Sequence, residues 1–266
     1  MDSPQLLVRI LPQRLLFIRV VKAMWQYSEF LLPAESSSIA ANLRQGLSTF
    51  PFPTDTHTVT IIVDTPSFLI PLETLDQADE REVLSRLYNY NMGEPRGRAQ
   101  VLFDALPSLN LAIVYSISGE VFHEIEEAFT KVRFRHALSS VLPKLSATAT
   151  KDAQHFIVPA MGESRLSVIC FRDGVPLSVV RFPFSNSADI AYGLLLLSES
   201  LELERSAPVY LLPSSDFPTD LCAQLSAAGF AQVKHVDIPQ TFGNGALLLH
   251  QAGMPYDLCM KVEGYC

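Results

Sequence analysis

The second half of the chain repeats the order of elements predicted for its first half, and this duplication restricts the possible folds more than any single motif. In each half, three short segments with alternating apolar residues precede a segment of helical period and a further apolar run. The first copy consists of predicted strands 6–11, 14–21 and 24–32, a helix 36–48 and a strand 58–63. This order predicts an α/β protein with two lobes.

The second copy shows the pattern more clearly. Its predicted elements are strands 154–159, 165–171 and 177–184, a helix of about 15 residues from Asn186 or Ser187, a strand 208–212, a helix 216–228 and a strand 232–238. The turn Arg172-Asp173-Gly174 separates two of these strands, and Asp-Gly between alternating segments predicts a tight hairpin with a positive φ at the glycine.

Charge and composition limit the partners that the chain can have. Of its 266 residues, 48% are hydrophobic, which is typical of a folded globular protein. Asp and Glu number 28 against 20 for Lys and Arg, so the formal net charge is −8. A surplus of acids disfavours extended contact with phosphate backbones, and we therefore expect no nucleic-acid partner.

No segment of the sequence predicts export or membrane insertion. The uncharged run 105–118 is shorter than the ~18 residues of a membrane span and contains Pro107, which predicts a hairpin. The four cysteines are too scattered for a zinc site or a disulfide framework. We therefore expect a cytoplasmic protein with free thiols, in which Cys170 and Cys222 are buried and Cys266 is exposed.

The segment between the two copies, about residues 65–133, is longer than a plain repeat requires, and it predicts an inserted module. Its predicted elements are a helix 79–90, strands 99–106 and 109–116 joined by a turn at Pro107-Ser108, and a helix with Ser118 as its N-cap. A further helix, 134–145, and a small polar linker, 146–150, are predicted to follow. The linker places the boundary between lobes 1–148 and 149–266.

This pattern resembles the duplicated ribonuclease-H-like fold of the actin, hexokinase and heat-shock-chaperone superfamily. The segment 164–203, SRLSVICFRDGVPLSVVRFPFSNSADIAYGLLLLSESLEL, is similar to the start of the second half of the pilus-assembly actin-like protein and its type II secretion relatives. The whole chain also resembles an uncharacterised Bacteroidetes family assigned that fold. The resemblance implies two lobes, each with a mixed five-stranded sheet, and an insertion in the first lobe.

The resemblance also implies a nucleotide site between the lobes, held by the first hairpin of each lobe with a carboxylate for magnesium. The first hairpin here, 10–14, has no acid and no glycine, and Pro12 has no amide hydrogen to offer a phosphate. The second hairpin keeps Gly162, Glu163 and Ser164. A loop with Gly243 and Gly245 is similar to the glycine pair that flanks adenosine in relatives, although a plain loop before the last helix is the simpler interpretation.

Other catalytic patterns are incomplete. His123-Glu124 begins like a zinc-protease helix, but Glu127 stands where the second histidine is needed, and we expect no metal site. The remaining histidines are predicted at element edges as surface or capping residues. A basic cluster, Lys131, Arg133, Arg135 and His136, is predicted to be a solvated face beside acids of the preceding helix or a docking site for an acidic partner. Those acids are Glu120, Glu124, Glu126 and Glu127.

Three functions remain open at this stage. The leading hypothesis is a non-catalytic scaffold or adaptor without a cofactor that binds another protein or associates with itself, chiefly through the inserted module and its hairpin 99–116. The first alternative is a switch that binds Mg-ATP through Gly162, Glu163, Ser164, Gly243 and Gly245. The second alternative is a metabolite kinase with Asp64 as its catalytic carboxylate, although an acid at a strand end more often caps a turn.

Overall fold

The structure is a computed structural model. It describes residues 5–11, 14–21, 24–31, 39–49, 58–77, 80–93, 98–152, 155–162, 165–212, 217–236 and 254–263.

Thirteen strands and seven α-helices are defined in the described ranges. The strands are β1 (Gln5–Ile10), β2 (Arg14–Val21), β3 (Met24–Leu31), β4 (Thr58–Val63), β5 (Ser67–Pro71), β6 (Ala99–Leu106), β7 (Leu111–Ser118), β8 (Val132–His136), β9 (His155–Gly162), β10 (Arg165–Arg172), β11 (Val175–Pro183), β12 (Val209–Leu211) and β13 (Val233–His235). The helices are α1 (Ile39–Thr49), α2 (Glu80–Met92), α3 (Gly119–Ala128), α4 (Val141–Asp152), α5 (Ser187–Ser200), α6 (Leu221–Ala227) and α7 (Tyr256–Glu263).

Two five-stranded sheets have the same topology. The first has the order β3-β2-β1-β4-β8 and the second the order β11-β10-β9-β12-β13. In each sheet the three strands of the meander are antiparallel, and the two later strands run parallel to the first strand of the meander. The duplicated order that the sequence predicted is therefore confirmed, with the mixed sheets expected of it.

The first helix of each copy approaches its sheet through a glycine. A β-carbon built on Gly46 of α1 would lie 2.6 Å from Leu15 and 3.1 Å from Phe30 of the first sheet. One built on Gly193 of α5 would lie 2.4 Å from the ring of Phe182 on β11. The aromatic ring fills the same place in both copies, on the third strand of the meander, so the repeat extends to side-chain packing.

The insertion forms a third sheet, with the order β5-β7-β6, and α2 packs on one of its faces. β5, which the sequence pattern did not predict, pairs with β7 and makes β7 the central strand of the sheet. Ile113 and Val114 point to opposite faces of β7, and both are fully buried. The second strand of the predicted hairpin, β7, therefore has neither an edge nor a face available for contact with a partner. Within this sheet, the outer edge of β6 is still available for such a contact.

Two predictions for the end of the first copy are wrong. The predicted helix 134–145 begins instead with β8, which pairs in parallel with β4 because Phe134 and His136 alternate with arginines. The predicted linker 146–150 lies inside α4. Two of its side chains are hydrogen-bonded there: the Ser146 hydroxyl donates to the carbonyl of Gly174, and the Thr148 hydroxyl donates to the carbonyl of Lys144 at 3.0 Å.

The chain separates into two compact units, the first ending at Ser139 and the second beginning at Ser140. The core of the second unit contains apolar residues of β10, α5, β12 and α6. Among the described helices, none has the length and apolar character required to cross a membrane.

The cysteines follow the prediction in part. Cys170 is buried as expected, and burial raises the pKa of its thiol to about 12. Cys222 is exposed, which contradicts the prediction, because it is the second residue of α6 and faces away from the buried Leu221 and Leu225. Cys259 is buried, and Cys266 lies outside the described residues.

The turn between β10 and β11 gives a direct test of the second copy. Asp173 and Gly174 have φ values of 52° and 76°, as a two-residue hairpin turn of this kind requires. We expect Gly174→Val to lower the free energy of unfolding by ~1 kcal/mol or more, because a β-branched residue is strained at positive φ. Gly174→Asn is the matched control, since asparagine tolerates this conformation. Equal urea midpoints for the wild type and Gly174→Val would contradict the prediction.

Candidate functional site

The carboxyl ends of three parallel strands meet at one edge of the first sheet. β1 ends at Ile10, β4 at Val63 and β8 at His136. In open α/β sheets this edge is where ligands usually bind. The charged and polar side chains at this edge are therefore the candidate ligand-binding or catalytic residues of the first sheet.

Asp64, the first residue after β4, forms an ion pair with Arg9 of β1. The distance from Arg9 Nη2 to Asp64 Oδ2 is 3.2 Å, and the two side chains are 3% and 21% exposed. Arg9 Nη1 also donates to the carbonyl of Ile10 at 3.2 Å. The ion pair holds the Asp64 carboxylate on a buried guanidinium, so this carboxylate is poorly placed to act as a general base.

A second carboxylate, Asp104 of β6, is 2% exposed and accepts four hydrogen bonds. Its Oδ2 accepts the main-chain N–H of His136 at 2.7 Å and the hydroxyl of Ser139. Its Oδ1 accepts from Arg135 Nη1 at 3.3 Å and from the Tyr115 hydroxyl at 3.4 Å. Asp104 thereby joins the inserted sheet to the end of β8 and to the turn that follows it.

The ring of His136 is buried beside this carboxylate, and its protonation state follows from its contacts. Its Nδ1 accepts the main-chain N–H of Leu138 at 3.2 Å, so the ring hydrogen must be on Nε2, which then donates to the carbonyl of Thr65 at 3.0 Å. Burial lowers the pKa of His136 to about 4 against the weaker opposing effects of the Thr65 carbonyl and Asp104. The imidazole is therefore neutral at neutral pH.

The ring of Tyr115 packs against His136 with centroids 5.3 Å apart. Burial, followed by the charge of Asp104, raises the pKa of the Tyr115 hydroxyl well above its usual value. The hydroxyl therefore stays protonated and continues to donate to Asp104.

Ser139, His136 and Asp104 have the composition of a catalytic triad but not its connections. In a triad, the histidine lies between the serine and the aspartate and accepts the serine proton. Here the Ser139 hydroxyl donates directly to Asp104, and both ring nitrogens of His136 bind main-chain groups. The arrangement holds main-chain segments together, and its serine is hydrogen-bonded to the aspartate and not to the imidazole.

The residues predicted for a nucleotide site can be placed only in part. Gly162 ends β9 and is paired with Arg165 of β10. Glu163, Ser164, Gly243 and Gly245 lie outside the described residues, so the nucleotide site stays a prediction. Within the described ranges, no group of three or more His, Cys, Asp and Glu side chains is arranged to hold a metal ion.

The basic cluster predicted from the sequence is divided by the structure. His136 is buried rather than at the surface, and Arg135 binds Asp104. Lys131 and Arg133 are exposed. Of the four acids predicted to neighbour them, Glu124 accepts hydrogen bonds from Arg44 of α1.

Sequence analysis did not identify Asp104, although one signal was available. Asp104 is an acid within an apolar strand, VLFDAL, and a buried charge requires partners. Those partners lie 11 to 35 positions further along the chain, at Tyr115, Arg135, His136 and Ser139, so only the tertiary structure reveals them.

Comparison with known proteins identifies the fold. The profile of a family described as "Protein of unknown function (DUF3822)" matches residues 3–215. No curated protein sequence matches the chain.

Two solved structures are similar over nearly the whole chain. One is a Bacteroides thetaiotaomicron protein with an actin-like ATPase fold and unknown function, with a TM-score of 0.79, 20% identity, and coverage of 92% of this chain and 95% of that one. The other is from the PilM-PilN type IV pilus biogenesis complex, with a TM-score of 0.61, 14% identity, and coverage of 98% and 97%. The chain therefore has an actin-like ATPase fold, as its sequence resemblance predicted.

The connections of Asp104 predict a large effect on stability. We expect Asp104→Ala to lower the free energy of unfolding by about 3 kcal/mol, because the His136 N–H and the Tyr115 hydroxyl would lose their buried acceptor. Urea denaturation measures this change. Glu82→Ala is the control, since it removes one exposed acid of the same module and should change the midpoint little. A loss below about 1 kcal/mol for Asp104→Ala would contradict the structural role.

The buried His136 predicts a specific dependence on pH. Its folded pKa of about 4 lies below the ordinary value of 6.5, so between these values the unfolded chain binds the proton and the folded chain does not. The stabilisation is fully present above pH 6.5 and is lost as the pH falls towards 4; the full difference corresponds to about 3 kcal/mol. His136→Gln does not titrate and keeps a donor for Thr65. The free energy of unfolding of this variant should fall less steeply with acidification, and parallel slopes would count against the assignment.

Proposed function

We propose that this chain, which belongs to the DUF3822 family of proteins of unknown function, is a non-catalytic adaptor built on an actin-like ATPase fold. The observation that carries the proposal is the pairing of Asp64 with buried Arg9 at the edge of the first sheet. The adaptor would act in the cytoplasm and bind another protein, with no cofactor and no nucleic acid.

The ion pair between Asp64 and Arg9 matters because phosphoryl transfer at this edge of the first sheet would depend on the charges there. Carboxylates hold the magnesium ion, main-chain amides approach the phosphates, and the metal neutralises the charge that develops. A metal at Asp64 would have to compete with a guanidinium that is fixed by burial. The first hairpin offers no acid as a substitute, and Pro12 removes one amide hydrogen.

Binding of a protein partner has support from the insertion and from a structural neighbour. The insertion is a complete sheet with its own helix and its own apolar core, which the repeated lobe does not require. PilM, whose solved structure is a complex with PilN, shows that this fold can bind another protein. We assign the principal contact of this chain to its inserted module.

The absence of ATP turnover is the first test. We expect purified protein to show no magnesium-dependent ATP hydrolysis and no thermal stabilisation by Mg-ATP. A ligand at ~100 times its dissociation constant would add about 2.7 kcal/mol, or roughly 2 to 4 °C in a chain of this size. Turnover abolished by Glu163→Ala would support the nucleotide switch, and turnover abolished by Asp64→Asn would support the kinase. Either result would contradict the adaptor.

Site-specific photocrosslinking tests the surface. Tyr90 of α2 is 89% exposed in the inserted module, and Tyr192 of α5 is 63% exposed in the second unit. Each tyrosine is replaced by the same photoreactive phenylalanine, so the two variants carry the same chemical change at different surfaces. In cells, we expect Tyr90 to crosslink to a discrete protein and Tyr192 not to do so. Crosslinks from Tyr192 alone would move the contact to the other unit, against the proposal.

A further inference from the structure

The outer edge of β6 presents main-chain groups that no strand of the described sheets pairs with. The Gly119 N–H donates to the carbonyl of Arg98 at 2.9 Å. Together with the register of the two strands, this bond determines which residues of β6 are hydrogen-bonded to β7. In an antiparallel pair, hydrogen-bonded positions alternate, so even-numbered residues of β6 bond to β7. The N–H and carbonyl groups of the odd-numbered residues therefore point outward. These residues are Ala99, Val101, Phe103 and Ala105.

This edge lacks the features that protect the other edge strands of the described sheets. Natural proteins guard open edges with charge, proline, short length or bulges. Each of the other edge strands has at least one such feature: Glu29 in β3, Pro71 in β5, Arg133 in β8, Pro176 and a nearby bulge in β11, and Lys234 in the three-residue β13. β6 has eight residues and one charge, Asp104, whose side chain is buried and already bonded.

We propose that β6 pairs in antiparallel fashion with β6 of a second copy of this chain. A two-fold axis at Leu102 places Val101 opposite Phe103 and Ala99 opposite Ala105, so all four outward residues of each strand are hydrogen-bonded. The two three-stranded sheets then form one continuous sheet of six strands.

The sequence of β6 fits a second copy because the strand is its own complement in this register. Val101 and Phe103 form two identical β-branched–aromatic pairs across the axis, a favourable cross-strand combination. Gln100 lies opposite Asp104, so no like charges meet. Both Val101 and Phe103 are half-buried in the single chain, and pairing would cover them further. This inference does not depend on whether the protein hydrolyses ATP.

The test removes one outward main-chain N–H of β6 and compares the result with a variant of similar side-chain volume that keeps this N–H. Sedimentation equilibrium of the full chain from about 1 to about 100 μM measures the monomer–dimer equilibrium. Val101→Pro deletes the outward N–H beside the axis, whereas Val101→Thr keeps that N–H at a similar volume. We expect the wild type and Val101→Thr to dimerise alike, and Val101→Pro to be monomeric with its circular dichroism spectrum retained.

Two further variants keep the test decisive if Val101→Pro does not fold. Ala99→Pro removes an outward N–H at the first residue of the strand, where proline is best tolerated, and should weaken dimerisation at least tenfold. Leu69→Pro alters the opposite edge of the same sheet, on β5, and should leave dimerisation unchanged. Either of two results would overturn the proposal: a wild type that is monomeric at every concentration, or dimerisation that survives both proline substitutions in β6. A monomeric wild type would favour an extended segment of another protein as the strand that pairs with β6.

Discussion

The first lobe depends on one buried charge. Asp104 lies on a strand of the inserted sheet, and without partners the burial of a carboxylate would cost several kcal/mol. Its partners come from β7, from β8 and from the turn after β8. The insertion, an edge strand of the main sheet and the end of the first unit are thus fixed by a single side chain. Displacing β6, which carries Asp104, would break all four contacts at once, so the packing of these elements is cooperative.

The polar side chains at the carboxyl edge of the first sheet are bound by other groups of the first unit. An edge where parallel strands end brings polar side chains together, and in an enzyme those groups must remain available to substrate, metal or water. Here Asp64 is bound to Arg9, and both nitrogens of His136 are bound to main-chain groups. The polar groups of this edge stabilise the lobe instead. A shared fold therefore gives no warrant for a shared activity, which is decided by the connections of individual side chains.

The two copies of the repeat have been elaborated differently. Both keep the order of strands and the glycine contact between the first helix and its sheet. Among the described residues, only the first copy contains an inserted sheet, and its polar junction includes the insertion's Asp104. In the second unit the described core around α5 and α6 contains apolar side chains and Cys170, together with the buried hydroxyls of Ser187 and Ser198.

The amino-acid sequence by itself determined the duplication, the two meanders and the tight turn at Gly174. These features depend on local signals: alternation of apolar residues, the conformational freedom of glycine and helix N-caps such as Asn186. The bounds of β2 and β4 agree with the sequence pattern to the residue because each strand is bordered by a change in that pattern.

Tertiary structure decided three further features: the strand β8, the helical conformation of residues 146–150 and the partners of Asp104. The segment of β8 has apolar and basic residues in alternation, but its pairing with β4, more than 70 positions away, is what makes it a strand. Residues 146–150 have the composition of a linker but lie inside α4, where the Ser146 hydroxyl donates to the carbonyl of Gly174, 28 positions away. Asp104 has no partner nearby in sequence. Each of these outcomes depends on contacts between distant residues, and local propensity carries no information about such contacts.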